Sequence, residues 1–134
     1  MERFEVRTHD HSEFQNITAQ VESLVVRSGV KTGLAHVYVP HTTAGLTINE
    51  NADPQVVSDI LGTLEKLVPW RQAHFQHDEG NSAAHIKASL LGFSTSIPIE
   101  NGHLALGTWQ GLYLCEFDGP RTRQVWVNVV RFEA

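Results

Sequence analysis

The chain has 134 residues, 41% of them hydrophobic and 19% charged, with a net charge of −5 and eight histidines. A chain of this length buries a core of its own as one domain, read here as residues 1–134, and its acidic balance (pI ≈ 5.8) excludes a general nucleic-acid binder. No apolar run approaches the length of a membrane span, the N-terminus has no apolar leader, and the lone Cys115 excludes an intrachain disulfide, so a cytoplasmic protein with neither nucleic-acid nor membrane partners is expected, Cys115 being a buried small hydrophobe.

Glu2 to His9 alternates polar and apolar residues and reads as a strand. A turn at DHSEFQN leads into a second short extended piece. ITAQVESLVVRSG follows as a helix: Thr18 is placed to cap it, Val21, Leu24 and Val25 share one face, and Gly29 suits its stop. LAHVYVP and AGLTINEN are strands joined by HTT. DPQVVSDILGTLEKLVP is the clearest helix, with Asp53 as cap, Pro54 in the first turn and Val57, Ile60, Leu61, Leu64 and Leu67 along one side. After the loop WRQAHFQHDEGN, a shorter helix runs through SAAHIKASLLG, with Ser82 as cap and Gly92 as stop. From Ser94 onward everything reads as β, with turns at Glu100-Asn101-Gly102 and Asp118-Gly119-Pro120. Helices confined to the first two thirds of a mostly antiparallel chain predict an α+β fold, a β-sandwich or curled sheet with helices against it.

Three stretches carry residues suited to chemistry. The first is the histidine set His41, His74, His77 and His85; imidazole is the commonest transition-metal ligand. The eight-residue step from His77 to His85 is not a standard local zinc spacing, and the acids Asp78 and Glu79 also suit a helix start. A metal, the helix N-terminus at Ser82 and Lys87 would together make a cradle for a diphosphate. His9 and His11 are expected at the surface, and His36 and His103 in structural positions. The second stretch is HTTAGLTINENADP: Thr42 and Thr43 offer hydroxyls, and Asn49, Glu50, Asn51 and Asp53 form a polar row longer than one helix cap requires. The third is LGTWQGLYL, where Gly107 and Gly111 mark a bulge or a close backbone approach, and Trp109 beside Gln110 is either core or an aromatic wall for a flat ligand.

In this order, HTTAGLTINENADP, HDEGNSAAHIKASLLG and SIPIENGHLALGTWQGLYLCEFDGPR resemble the YjbQ (UPF0047) family over nearly the whole chain. The resemblance implies a compact α+β fold with a β-sandwich, a homotrimer, and secondary thiamine-phosphate synthase activity. In that reaction a hydroxymethylpyrimidine diphosphate is joined to a thiazole phosphate with release of pyrophosphate. It also implies a pocket lined by His41, His77 and His85 that holds a divalent metal, zinc or magnesium. Glu50, Asn51 and Asp53 fall on the family's N-E-N-x-D segment, Lys87 follows its H-I, and Trp109 and Gln110 fall on its G-T-W-Q; Ala83 stands where some relatives carry another histidine. On this reading Lys87 and the metal neutralise the leaving group, Trp109 aligns the rings, and Glu50 and Asp53 are the acid–base candidates, with Thr42, Thr43, Asn49, Asn51, Ser82, Trp109 and Gln110 contacting substrate. Two other readings stay open at this point. One is a metal-dependent phosphate-ester hydrolase with Glu50 or Asp53 as base. The other is a non-enzymatic trimeric module that binds a small anionic metabolite.

Overall fold

The structure is a computed structural model and describes residues 1–132. Eight strands and three helices follow in the order β1 (Glu2–Arg7), β2 (Glu13–Asn16), α1 (Thr18–Ser28), β3 (Gly33–Tyr38), β4 (Ala44–Glu50), α2 (Pro54–Leu67), α3 (Ser82–Leu91), β5 (Ser94–Glu100), β6 (His103–Leu104), β7 (Gln110–Glu116) and β8 (Thr122–Arg131). They form two antiparallel sheets, one ordered β1-β8-β3-β5-β6 and the other β2-β7-β4. The expected α+β sandwich is therefore the observed one, with its helices in the first two thirds of the chain.

Alternation along the strands builds the core. Ala35 and Val37 of β3, Ile97 and Ile99 of β5, and Val125 and Val127 of β8 turn inward from the large sheet to meet Leu46, Leu112 and Leu114 of the small one. Val21, Leu24 and Val25 of α1 join the same cluster, the face that their spacing predicts. Strand β7 is buried from Gly111 through Glu116 because both of its faces are covered. Leu112 and Leu114 face the sandwich, while Tyr113 and Cys115 lie with Phe117 under α2 and α3. Cys115 is wholly buried as expected, and burial pushes its thiol well above the ordinary range.

Helix α3 lies directly on β4. A Cβ at Gly45 would stand 2.7 Å from the Gly92 carbonyl oxygen and 3.3 Å from that of Ala88, so this approach requires glycine. The Leu46 N–H donates to the same Gly92 carbonyl at 3.0 Å. The β5–β6 hairpin turns where expected, with positive φ at Asn101 (53°) and Gly102 (82°).

Local details depart from the sequence reading at two helix starts. Thr18 is the first residue of α1 and not its cap; Ile17 holds the cap position, fully buried and with no side-chain cap. Asn16 does the work instead, its Oδ1 accepting from the Thr18 N–H (3.0 Å) and hydroxyl (2.7 Å). The Thr18 hydroxyl is drawn away as acceptor for the Leu112 N–H at 2.9 Å. Ser82 is likewise the first residue of α3, behind the N-cap Asn81. Helix α2 begins as predicted, with Asp53 accepting from the Gln55 N–H at 2.9 Å and Pro54 in the first turn. Val57, Leu61 and Leu64 pack against the second cluster, but Leu67 is 70% exposed and lines nothing in this chain.

One end of the sandwich is closed by a buried ion pair. The Glu116 carboxylate accepts two hydrogen bonds from the Arg123 guanidinium, one of them 2.8 Å from Nε. It accepts two more, from the Thr8 hydroxyl (2.8 Å) and the Asp118 N–H (2.9 Å). Arg123 also donates to the Thr43 hydroxyl (2.8 Å) and carbonyl (3.3 Å). Burial pushes the Glu116 carboxyl up, but the hydrogen bonds from Arg123, Asp118 and Thr8 outweigh it and hold the carboxyl below its usual range. That contribution to stability is present above the ordinary value of 4.5 and is lost as pH falls through the lower folded value. Arg123→Leu leaves the carboxylate buried without its partner. It is expected to cost about 3–5 kcal/mol in urea denaturation at neutral pH, and less under acid conditions where Glu116 is protonated.

Candidate functional site

The three stretches singled out in the sequence arrive at two ends of the small sheet. The crossing segment after β3 brings His41, Thr42 and Thr43 to the start of β4, beside the end of β7, since Ala44 pairs with Glu116. Helix α3 starts at this same end, because Asn81 Nδ2 donates to Asp118 Oδ2 at 2.8 Å. His77 and His85 flank that helix start, with ring centroids 5.2 Å apart and planes at 89°. At the opposite end, Asn49 pairs with Gly111 and Glu50 with Gln110. The Asn51 N–H donates to the Trp109 carbonyl at 2.9 Å. A Cβ on Gly111 would stand 2.7 Å from Asn51 Cβ, the close approach that a glycine within a strand predicts. The intervening strand has seven residues, a span of roughly 20 Å.

The histidine end has the features of an anion site. A cleft of about 500 Å³ is lined by His74, His77, Ser82 and His85 together with Phe75 and Ile86. Asn81 has turned its side chain to Asp118, so α3 has no side-chain cap. The Asn81 carbonyl accepts from Ala84 and His85. Among the described residues neither Ser82 nor Ala83 finds an acceptor for its backbone N–H. Uncapped N–H groups at the positive end of a helix attract a negative ligand. Phe75 and His77 also border a second cleft of about 620 Å³ reaching Trp70 and Arg71. His77 lies 4.0 Å from Glu79, a partly exposed contact.

Several expected site residues have other partners. Lys87 is 2% exposed and its ammonium is paired with Glu65 Oε2 at 2.8 Å, between α3 and α2, so it does not reach the histidine cleft as the diphosphate cradle requires. Asp53 is committed to capping α2. Thr43 is buried against Arg123, whereas Thr42 is exposed. Trp109, 63% exposed, is not core; it stands out at the far end of the sheet beside Glu50 and Asn51. Gln110 folds back so that its Oε1 accepts from the Gly107 N–H at 2.8 Å.

His41 accepts a hydrogen bond at Nε2 from the Gln124 N–H, 2.8 Å away. Burial and then the Arg123 guanidinium push its pKa below the ordinary 6.5. The accepting nitrogen carries no proton, so the N–H lies on Nδ1. A metal centre from His41, His77 and His85 would need three converging donors. Within one chain the donor set does not fit: His77 and His85 face each other, Nε2 of His41 is taken, and no group of three His, Cys, Asp or Glu side chains comes together among the described residues.

Sequence reasoning missed Glu116, Arg123, Asn81, Asp118 and His11. The first two were legible in principle, as each breaks the apolar set on the inward face of its strand, Glu116 after Leu112 and Leu114, and Arg123 before Val125 and Val127. His11 is exposed as expected, and it also has partners at this end of the sheet. Its ring meets Trp70 edge-on with centroids 4.5 Å apart, and its Nε2 lies 3.7 Å from Asp118.

Comparison with known proteins places this geometry. A family profile described as "UPF0047 protein YjbQ-like" matches residues 2–132. The Bacillus subtilis UPF0047 protein YugU is 46% identical over 130 residues, covering 97% of this chain and 98% of the relative. A UPF0047 protein of Methanocaldococcus jannaschii is 49% identical over 128 residues, covering 96% and 92%. The crystal structure of a Clostridium acetobutylicum protein of the yjbq/upf0047 family superposes with a TM-score of 0.95 at 53% identity, covering 97% of this chain and all of the other. A YbjQ-like protein of unknown function from Sulfolobus solfataricus gives 0.93 at 33% identity, covering 98% and 96%.

The lowered pKa of His41 has a consequence for stability. The folded state prefers the neutral ring, so between the folded value and 6.5 the unfolded chain binds more protons. His41 therefore supports the fold fully above about pH 6.5 and progressively less as pH falls below it. His41→Gln removes this titration; its urea midpoint is expected to fall less than that of the parent between pH 7 and pH 5.

Proposed function

The chain belongs to the YjbQ-like UPF0047 family, and on that footing we propose that it is a weak transferase of the thiamine-phosphate synthase type. It would join a hydroxymethylpyrimidine diphosphate to a thiazole phosphate at the histidine cleft. The observation that carries this reading is the perpendicular His77–His85 pair beside the uncapped start of α3. The difficult event is departure of pyrophosphate, with the C–O bond at the pyrimidine methylene breaking and its electrons leaving on the diphosphate. The thiazole nitrogen then supplies its lone pair to form the new C–N bond, so no side-chain nucleophile is required. The protein's part is to hold negative charge. Each imidazole ring can offer an N–H, and the backbone N–H groups of Ser82 and Ala83 offer two more.

The ring-aligning Trp109 and the polar side chains of Glu50, Asn49 and Asn51 lie at the other end of the sheet. In this proposal a homotrimer unites the two ends: head-to-tail contacts close a ring in which the Trp109 end of one chain meets the histidine end of the next. A zinc ion at His77 and His85 would complete its coordination with donors from that neighbouring chain, and magnesium would rely on phosphate oxygens. The cell compartment fitting a free, buried Cys115 is the cytoplasm. Among the described residues no helix is long and apolar enough to cross a membrane.

One observation favours a second reading, a trimeric binding module for a small phosphorylated metabolite. Lys87 and Asp53 have structural partners, and Glu50 is remote from His77 and His85 within the chain. That leaves anion binding better supplied than acid–base chemistry. Thiamine-phosphate formation from the two purified precursors separates the readings. Turnover that drops on the order of a hundredfold in His77→Ala and His85→Ala supports the transferase. Calorimetric binding of the diphosphate precursor that weakens in both variants without any turnover supports the module. Turnover undiminished in both variants excludes the histidine cleft as the reacting site.

A further inference from the structure

The long outer strand of the large sheet carries a second message, independent of the chemistry above. Strand β1 pairs only with β8, so among the described residues its other edge has no strand partner, though its Arg7 carbonyl accepts from Gln15 Nε2 at 3.3 Å. It spans six residues, without proline and with regular register throughout, whereas the opposite edge strand β6 has only two residues. Long regular edges attract other strands, and proteins commonly shorten, bulge or cover them. Helix α1 does not cover this one: cavities of about 440 and 450 Å³, both bordered by Glu2, Leu24 and Arg27, separate the helix from the strand.

The sequence of β1 is complementary to itself. Phe4 and Val6 face the core side, while Arg3, Glu5 and Arg7 face outward. Two copies run antiparallel in one continuous sheet keep their core sides together only when residues of the same parity are opposed. Pairing Phe4 with Phe4 of a second copy sets Arg3 opposite the other chain's Glu5, and Glu5 opposite its Arg3. A shift by two residues in one direction opposes Arg3 to Arg3. A shift in the other opposes Glu5 to Glu5 and both Arg3 residues to Arg7. Opposite charges placed directly across a ladder stabilise it and like charges destabilise it, so the charges select one register. Glu5 forms no ion pair within its own chain among the described residues. Arg3 has only the Trp126 ring, 4.5 Å from its guanidinium carbon to the centroid; that stacking leaves its N–H edge available to a carboxylate. The open space beside α1 has Phe4 and Leu24 on its walls, a setting suited to a second phenylalanine.

We propose that β1 is a two-fold self-association edge, its occupant a second copy of the same strand with Phe4 on the axis. Such a contact joins chains in pairs and would couple two trimers into a hexamer.

Charge exchange and cross-linking test this in the full chain. Light scattering after size exclusion is expected to give R3E and E5R half the mass of the parent at equal concentration. The double variant R3E/E5R, which restores opposite charges across the axis, should regain the parent mass. Phe4→Cys should form a disulfide-linked dimer on mild oxidation, because directly opposed residues lie within disulfide reach and Cys115 is buried. Parent-like mass in both single variants overturns the proposal. So does a Phe4→Cys protein with native circular dichroism that stays monomeric on denaturing, non-reducing gels. Should Phe4→Cys fail to fold, the charge series, which leaves Phe4 in place, decides alone.

Discussion

The buried pair Glu116–Arg123 is the constraint on which this molecule depends. It lies where the two sheets come together, and its hydrogen bonds reach Thr8 beyond β1, Thr43 in the segment crossing to β4, and Asp118 in the turn between β7 and β8. A buried carboxylate is costly unless its oxygens are satisfied; here four donors meet it. The same arrangement fixes the surroundings of the candidate site. Arg123 sits close enough to His41 to disfavour its protonation, and the Asp118 turn receives Asn81, which anchors the start of α3. The histidine cleft is thus built beside a part of the fold where charge is buried.

Anchoring Asn81 to Asp118 also explains why α3 begins without a side-chain cap. An asparagine in the N-cap position ordinarily turns back to the helix. This one is recruited by tertiary structure, and the donors at the helix start are left beside His77, Ser82 and His85. A local stabilisation is forgone at the place where a negative ligand would supply it. Lys87, which sequence proximity assigns to the same place, instead points to Glu65 on α2 and fastens the two outer helices together.

The distribution of the remaining polar residues gives the fold its directionality. The small sheet has a histidine end and a Glu50–Trp109 end, separated by the length of β4. The proposed head-to-tail association would join those two unlike ends, whereas the proposed two-fold association would use the self-complementary β1. The two modes use different sheets and do not compete for the same residues. Exposed Leu67 and Trp109, at 70% and 63%, are apolar surface that the single chain leaves uncovered.

Periodicity in the sequence determined most of the fold. Strand alternation, the apolar faces of α1 and α2, the Asp53-Pro54 start and the Asn101-Gly102 turn are local properties, written in residues a few positions apart. The family resemblance was likewise legible, carried by motifs spread over the chain. Which side chains meet was not. His77 and His85 lie on one short segment and do come together, yet His41 is committed to the Gln124 backbone, 83 positions away in sequence. Thr18 and Ser82 read as caps because hydroxyls near a helix start usually are; Leu112 claimed the first, and Asn81 holds the cap position ahead of the second. Glu116 and Arg123 read as ordinary strand residues because the sequence carries no record of the depth to which a strand end is buried. Burial and hydrogen-bond partners at long sequence separation arise only when the sheets pack, so tertiary structure alone decided which of the polar residues became framework and which were left free to bind.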